Sequence, residues 1–165
     1  MNQQHAIRSF APAPAEHVGV VNPAIQNHDA YGKRVLRTAA GPLYREGAAQ
    51  CRVDLGAGLG ATIDGVVAPD IAVEIEARVA KQVRGALLDL ICHRYPKKLL
   101  ILMPVWARNP ELTARQCRHI LGRFVPADDF RVVVLAGKAG DEQLDTDIAR
   151  VRSVLAELAT GELRP

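Results

Sequence analysis

The chain has 165 residues, a net charge of +3, 24% charged residues and 4% aromatic ones. That length fits one domain able to bury most of its apolar surface, and the mild charge permits a nucleic-acid partner without demanding one. Three cysteines, Cys51, Cys92 and Cys117, are an odd number with no short spacing, which suggests neither a disulfide framework nor a zinc knuckle and suits free thiols in a reducing compartment.

Residues 1–28 are rich in Ala, Pro, Gln and His without a period, and read as a flexible arm with no signal-peptide layout. The remaining residues, 29–165, read as one domain. Residues 29–49 carry a helical pattern, with Tyr31, Val35, Leu36 and Ala39 on one face and Gly41-Pro42 as an interruption. Three short strands are expected over 51–55, 61–67 and 71–78, with a glycine-rich turn at Gly56, Gly58 and Gly60. That turn lacks the strand–loop–helix setting of a phosphate loop. A helix follows over 79–95, ended by Tyr95-Pro96. Residues 98–105 and 131–136 are nearly all apolar, as strands covered on both faces must be. Helices over 110–124 and 141–158 complete the chain. Strands separated by helices imply parallel pairing, while the three early strands form an antiparallel meander. The expected fold class is therefore α/β, a mixed central sheet flanked by helices. The apolar run 99–105 is far too short to span a bilayer, so the reading is a cytoplasmic protein with no membrane partner.

The chemistry concentrates between Ile63 and Glu76. Asp64 ends one apolar run, and ten residues on, Glu74 and Glu76 alternate with Val73 and Ile75. Side chains alternate across a strand, so Val73 and Ile75 face a core while Glu74 and Glu76 emerge together on the other side. If the Asp64 strand lies alongside, three carboxylates converge. Oxygen-only ligands of this kind suit Mg²⁺ or Mn²⁺. Such an ion can activate water and stabilise charge on a phosphate, so the pattern points to phosphodiester hydrolysis. In this reading Asp64 and Glu74 hold the ion, the Ile75 carbonyl is a further ligand, and Glu76 works on the water. Glu46, expected on a helix upstream, is the candidate for completing the ligand set. Arg78, Lys81, Gln82 and Arg84 are candidates for contacting substrate or its phosphates, with Arg94, Lys97 and Lys98 as more distant ones. His93 and His119 lack ligand spacing to any other His or Cys.

The order of these elements, with Ile63-Asp64-Gly65 followed by Val73-Glu74-Ile75-Glu76, a long helix and a buried strand, resembles the PD-(D/E)XK nuclease superfamily. The resemblance spans about residues 29–105. It implies the restriction endonuclease-like αβββαβ core, a Mg²⁺- or Mn²⁺-dependent nuclease activity and DNA as substrate. The superfamily's usual lysine is replaced by Glu76, which matches the E-x-E variant of some restriction endonucleases. In that variant an acidic residue from the preceding helix also contributes, and Glu46 is the residue carried over to that role. The chain is short for a sequence-specific restriction enzyme, a group that normally forms a homodimer.

Two other readings stand beside this one. The same scaffold, catalytically silent, would serve as a DNA-binding or protein-interaction module. In an unrelated α/β domain, Glu74 and Glu76 would be surface acids paired with Arg78 or Arg84.

Overall fold

The structure is a computed structural model; it describes residues 23–78, 81–105 and 108–160, and the side chains of these except 23–27 and 81. Residues 1–22 of the expected arm lie outside this range. Helix α1 covers Pro23–Ala40, beginning before the expected residue 29 and ending before the expected 49. Its end has a local cause. Gly41 takes a left-handed φ of 55°, and Pro42 has no N–H with which to continue the helix.

Among the described residues, seven strands and three further α-helices follow: β1 (Tyr44–Arg45), β2 (Arg52–Gly56), β3 (Leu59–Thr62), β4 (Gly65–Val67), β5 (Ile71–Glu76), α2 (Lys81–Cys92), β6 (Lys97–Leu102), α3 (Pro110–Leu121), β7 (Phe130–Val134) and α4 (Leu144–Thr160). Five strands form one mixed sheet in the order β1-β4-β5-β6-β7, while β2 and β3 form a separate hairpin. β5, β6 and β7 are parallel, and β1 and β4 add antiparallel pairs. The mixed α/β class expected from sequence is the one observed.

One expected strand, 61–67, divides in two. Leu59–Thr62 belongs to the hairpin and Gly65–Val67 to the main sheet, with Ile63 and Asp64 at the crossing between them. Asp64 thus stands just outside the β4 ladder, not within a strand.

The main sheet is covered on both faces. α1 and α4 press Val35, Leu36, Val151 and Leu155 against Val73, Ile75, Leu99 and Ile101. α2 and α3 press Val83, Leu90, Cys117 and Leu121 against Ala72, Leu100, Leu102 and Val132. Two-sided cover explains the continuous apolar runs of β6 and β7. α3 starts cleanly because the Asn109 side chain accepts the Leu112 N–H at 2.9 Å, with Pro110 at the first helical position.

The loop after β7 is tied down by one buried acid. Asp147 of α4 accepts N–H groups of Ala136 and Gly137 and the Tyr31 hydroxyl, each at 2.8 Å. Arg34 pairs with Asp141 across the same junction. Among the described residues, no helix is long and apolar enough to cross a membrane.

Candidate functional site

Alternation along β5 is as expected: Val73 and Ile75 join the core under α1 and α4, and Glu74 and Glu76 point to the opposite face. That face is covered rather than open. Glu74 is 7% exposed and Glu76 4% exposed, at the carboxyl end of a strand whose partner β6 is wholly apolar at Leu100 and Leu102. Carboxylates held in such surroundings need a compensating charge, a proton or hydrogen bonds.

Asp64 and Glu74 meet. Their carboxyls are within hydrogen-bonding contact, and burial, that contact and the charge of Asp64 push the Glu74 carboxyl up to about 9. Asp64 is fixed from several directions. Its Oδ2 accepts the Ile75 N–H at 2.9 Å, its Oδ1 lies 3.7 Å from the Lys33 ammonium, and its backbone carbonyl accepts the Tyr44 hydroxyl at 3.3 Å. Asp64 therefore fills with its side chain a position that a longer β4 would have filled with backbone.

Glu76 takes a different partner. Its Oε1 accepts both the backbone N–H of Arg78, at 2.8 Å, and the Arg78 Nε, at 3.0 Å. Three converging acids were expected, yet among the described residues no three His, Cys, Asp or Glu side chains are grouped to hold a metal ion. Glu76 is neutralised locally by Arg78.

These residues line a cleft of about 330 Å³ together with Asp29, Thr62, Gln82 and Asp89. Gln82, Gly85, Ala86 and Asp89 form one row of α2, three and four residues apart, facing the acids. Burial raises the Asp89 carboxyl above its ordinary value, and Asp89 in turn raises Glu74. Gln82 and Arg78 both border the cleft. Arg84 is exposed and lines no part of the cleft, because it falls between the rows of α2. The Lys81 side chain lies outside the described residues.

Glu46 is the main misplacement. It follows β1 instead of lying on a helix, because α1 stops at Gly41. It does not line the cleft. Against the upward push of burial, hydrogen bonds from Arg37, at 2.7 Å, and from Tyr44, at 3.2 Å, hold its carboxyl below the usual range. On the helix that precedes the strands, the acid at the cleft is Asp29, on α1. It is four residues before Lys33, the cation nearest Asp64, so both fall on one stripe of that helix. An acid at the start of an otherwise basic stripe was the signal available in the sequence.

No protein-family model, curated protein or solved structure matches this chain.

Lys97 and Lys98 belong elsewhere. Both are buried at the amino end of β6, opposite to the end where Glu76 lies. Lys97 pairs with Asp70 at 3.2 Å, and Lys98 donates to the carbonyls of His93, at 2.7 Å, and Tyr95. Burial lowers the Lys98 ammonium to about 8. His93 is likewise structural, with Nε2 2.7 Å from the Gln50 carbonyl.

A divalent ion fits the donor set in kind. Asp64 and Glu74 offer adjacent hard oxygens, and Mg²⁺ commonly takes one or two protein carboxylates and leaves its other positions to water and substrate phosphate. The raised Glu74 carboxyl marks a place where a bound cation would relieve the repulsion from Asp64.

Proposed function

We propose that the protein is a Mg²⁺- or Mn²⁺-dependent nuclease that hydrolyses phosphodiester bonds in DNA, with a restriction endonuclease-like site. The observation that carries this reading is the contact between half-buried Asp64, just before β4, and buried Glu74 of β5, a pair that needs a positive partner once both carboxyls ionise. The motif resemblance supplies the reaction class. Asp64 and Glu74 would hold the ion, joined by the Ile75 carbonyl. When bound, the ion would lower the pKa of water and stabilise charge on the leaving oxygen. Glu76, held by Arg78, would orient the water, and Gln82 would hydrogen-bond the substrate strand from α2. Asp29 would take the part of the helical acid in the E-x-E variant, the part that Glu46 is poorly placed to play.

Supercoiled plasmid incubated with Mg²⁺ or Mn²⁺ tests the reading. Metal-dependent nicking or cutting is expected, with at least roughly a hundredfold loss in Asp64→Ala and Glu74→Ala, equivalent to about 2.7 kcal/mol of barrier. Cutting that persists in both variants rejects the site.

The second reading is a catalytically silent module, which would bind DNA or protein through the same scaffold. Lys33 and Arg78 favour it, because they already lie against Asp64 and Glu76 and can stand in for a metal's charge. No cutting, combined with no metal-induced rise in melting temperature, selects this reading over the first.

A further inference from the structure

One cation already lies against the acid assigned to the ion. The Lys33 ammonium is 3.7 Å from Asp64 Oδ1, an ion-pair distance too long for a hydrogen bond, and the two side chains are 37% and 27% exposed. Glu46 feels the same charge from farther away, but its own partner is Arg37 at 2.7 Å. Arg78 also feels Asp64, yet its Nε and its backbone N–H are both committed to Glu76. Lys33 is therefore the cation of the cleft with least to hold it.

Its backbone cannot retreat. α1 rests on β5 at Gly32, where a Cβ would lie 2.5 Å from Ile75 Cγ2. Only the flexible four-carbon stem can move, and it is open to solvent. The oxygen that Lys33 faces is also the better one for a metal. Asp64 Oδ2 accepts the Ile75 N–H, which leaves Oδ1 with more lone-pair capacity. A Mg²⁺ on Oδ1 would lie about 2.1 Å from it, and so at most about 6 Å from the ammonium as placed. That separation is inside the screening length of about 8 Å at physiological salt, so the two positive charges repel. A half-exposed ion pair is weak enough for a dication to displace, at a cost that falls on the ion's affinity.

We propose that Lys33 is an internal competitor of the divalent ion. It neutralises Asp64 until the ion arrives and swings into solvent when the ion binds, which sets a threshold on metal concentration. This regulation rests on the proposed role of Asp64 and Glu74 as metal ligands.

Mn²⁺ binding to the full chain tests the proposal, read at fixed pH and salt by calorimetry and by loss of the free-ion paramagnetic resonance signal. Lys33→Gln should bind Mn²⁺ about threefold to tenfold more tightly than wild type, more than an exposed monovalent pair gives because the ion carries two charges. The gain should shrink as salt is raised. Lys33→Arg, which keeps the charge, should bind as wild type does. Arg34→Gln removes a cation of the same helix that pairs with Asp141 instead, and should also match wild type. A lysine that merely braces Asp64 would give the opposite sign, because its loss would loosen the ligand. Unchanged or weaker binding in Lys33→Gln therefore overturns the competition, as does an equal gain in Arg34→Gln. Asp64→Ala separates that failure from failure of the metal site. If it abolishes Mn²⁺ binding while Lys33→Gln changes nothing, the site stands without the competitor. Mn²⁺ binding that survives Asp64→Ala, or that is missing from wild type and Lys33→Gln alike, removes both.

Discussion

The Asp64 carboxylate accepts the Ile75 N–H at 2.9 Å, so the acid that ends one segment is hydrogen-bonded to the backbone between the two glutamates of the next. This bond fixes Asp64 beside Glu74 whether or not a cation is bound. Most of the site's behaviour with pH follows from that enforced proximity.

Glu74 carries the pH prediction. The folded protein retains a proton up to about 9, whereas the unfolded chain releases it near an ordinary glutamate value of about 4.3. The native state therefore binds more protons between those limits. This contribution to stability is fully present below the unfolded value and is lost as pH rises through the folded one. Urea unfolding should give a midpoint that falls between about pH 6 and about pH 8, with a slope of up to about 1.4 kcal/mol per pH unit. Glu74→Gln should flatten that slope. A slope unchanged in Glu74→Gln would locate the proton on another group.

Close packing behind Asp64 gives the second prediction. A Cβ at Gly65 would come within 2.3 Å of the Tyr44 ring and 3.0 Å of the Arg45 carbonyl. The same ring donates its hydroxyl to the Asp64 carbonyl. Gly65→Ala should cost about 1–3 kcal/mol in urea unfolding, the usual range for overpacking, and should lower any metal-dependent activity through displacement of Asp64. A loss below about 0.5 kcal/mol would mean that the ring moves aside freely.

Helix α2 supplies a contrasting glycine. Gly85 borders the cleft, and a Cβ there would meet nothing within 4 Å. Alanine is favoured over glycine in a helix interior by about 1 kcal/mol, so Gly85→Ala should raise stability by about 0.5–1 kcal/mol. Gly85→Leu should keep the fold while narrowing the cleft; under the proposed nuclease reading it should raise KM for DNA more than it lowers kcat. Unchanged kinetics in Gly85→Leu would mean that substrate does not use this wall.

Asp147 is the acid whose loss should matter most to folding. It is fully buried and accepts three hydrogen bonds that join α1, α4 and the loop after β7. Asp147→Ala leaves two backbone donors and a tyrosine hydroxyl without their acceptor, and should destabilise by about 3 kcal/mol or more. Tyr31→Phe removes one bond and should cost about 1–2 kcal/mol. Denaturant curves of the two variants check the ranking. Equal losses would mean that Tyr31 carries the whole network.

What the sequence made legible was mostly periodicity. Alternation at Val73-Glu74-Ile75-Glu76 gave the faces of β5 correctly, and the apolar runs gave β6 and β7 as strands covered on both sides. What it could not give was distance between residues far apart in the chain. The break at Ile63–Asp64 was hidden because the strand pattern continues across a change of sheet. The polar and aromatic residues after Gly41-Pro42 fit a resumed helix carrying Glu46, whereas the left-handed turn there redirects the chain into β1. Asp89 has the pattern of an ordinary polar helix position, and only tertiary packing turns it toward Glu74. Lys97 and Lys98 looked like surface cations for the same reason in reverse.

Gly32 contributes through what it lacks. A methyl group at that position would lie 2.5 Å from Ile75 Cγ2 and 3.3 Å from the Met103 sulfur, so α1 can rest this low on the sheet only with hydrogen there. Asp29 and Lys33 flank that point of contact on the same helix, and they descend with it toward the end of β5. A purely apolar fit therefore governs an electrostatic spacing. Any bulkier residue at 32 would act as a shim, lifting both charges off the acids beneath them without touching a single polar group.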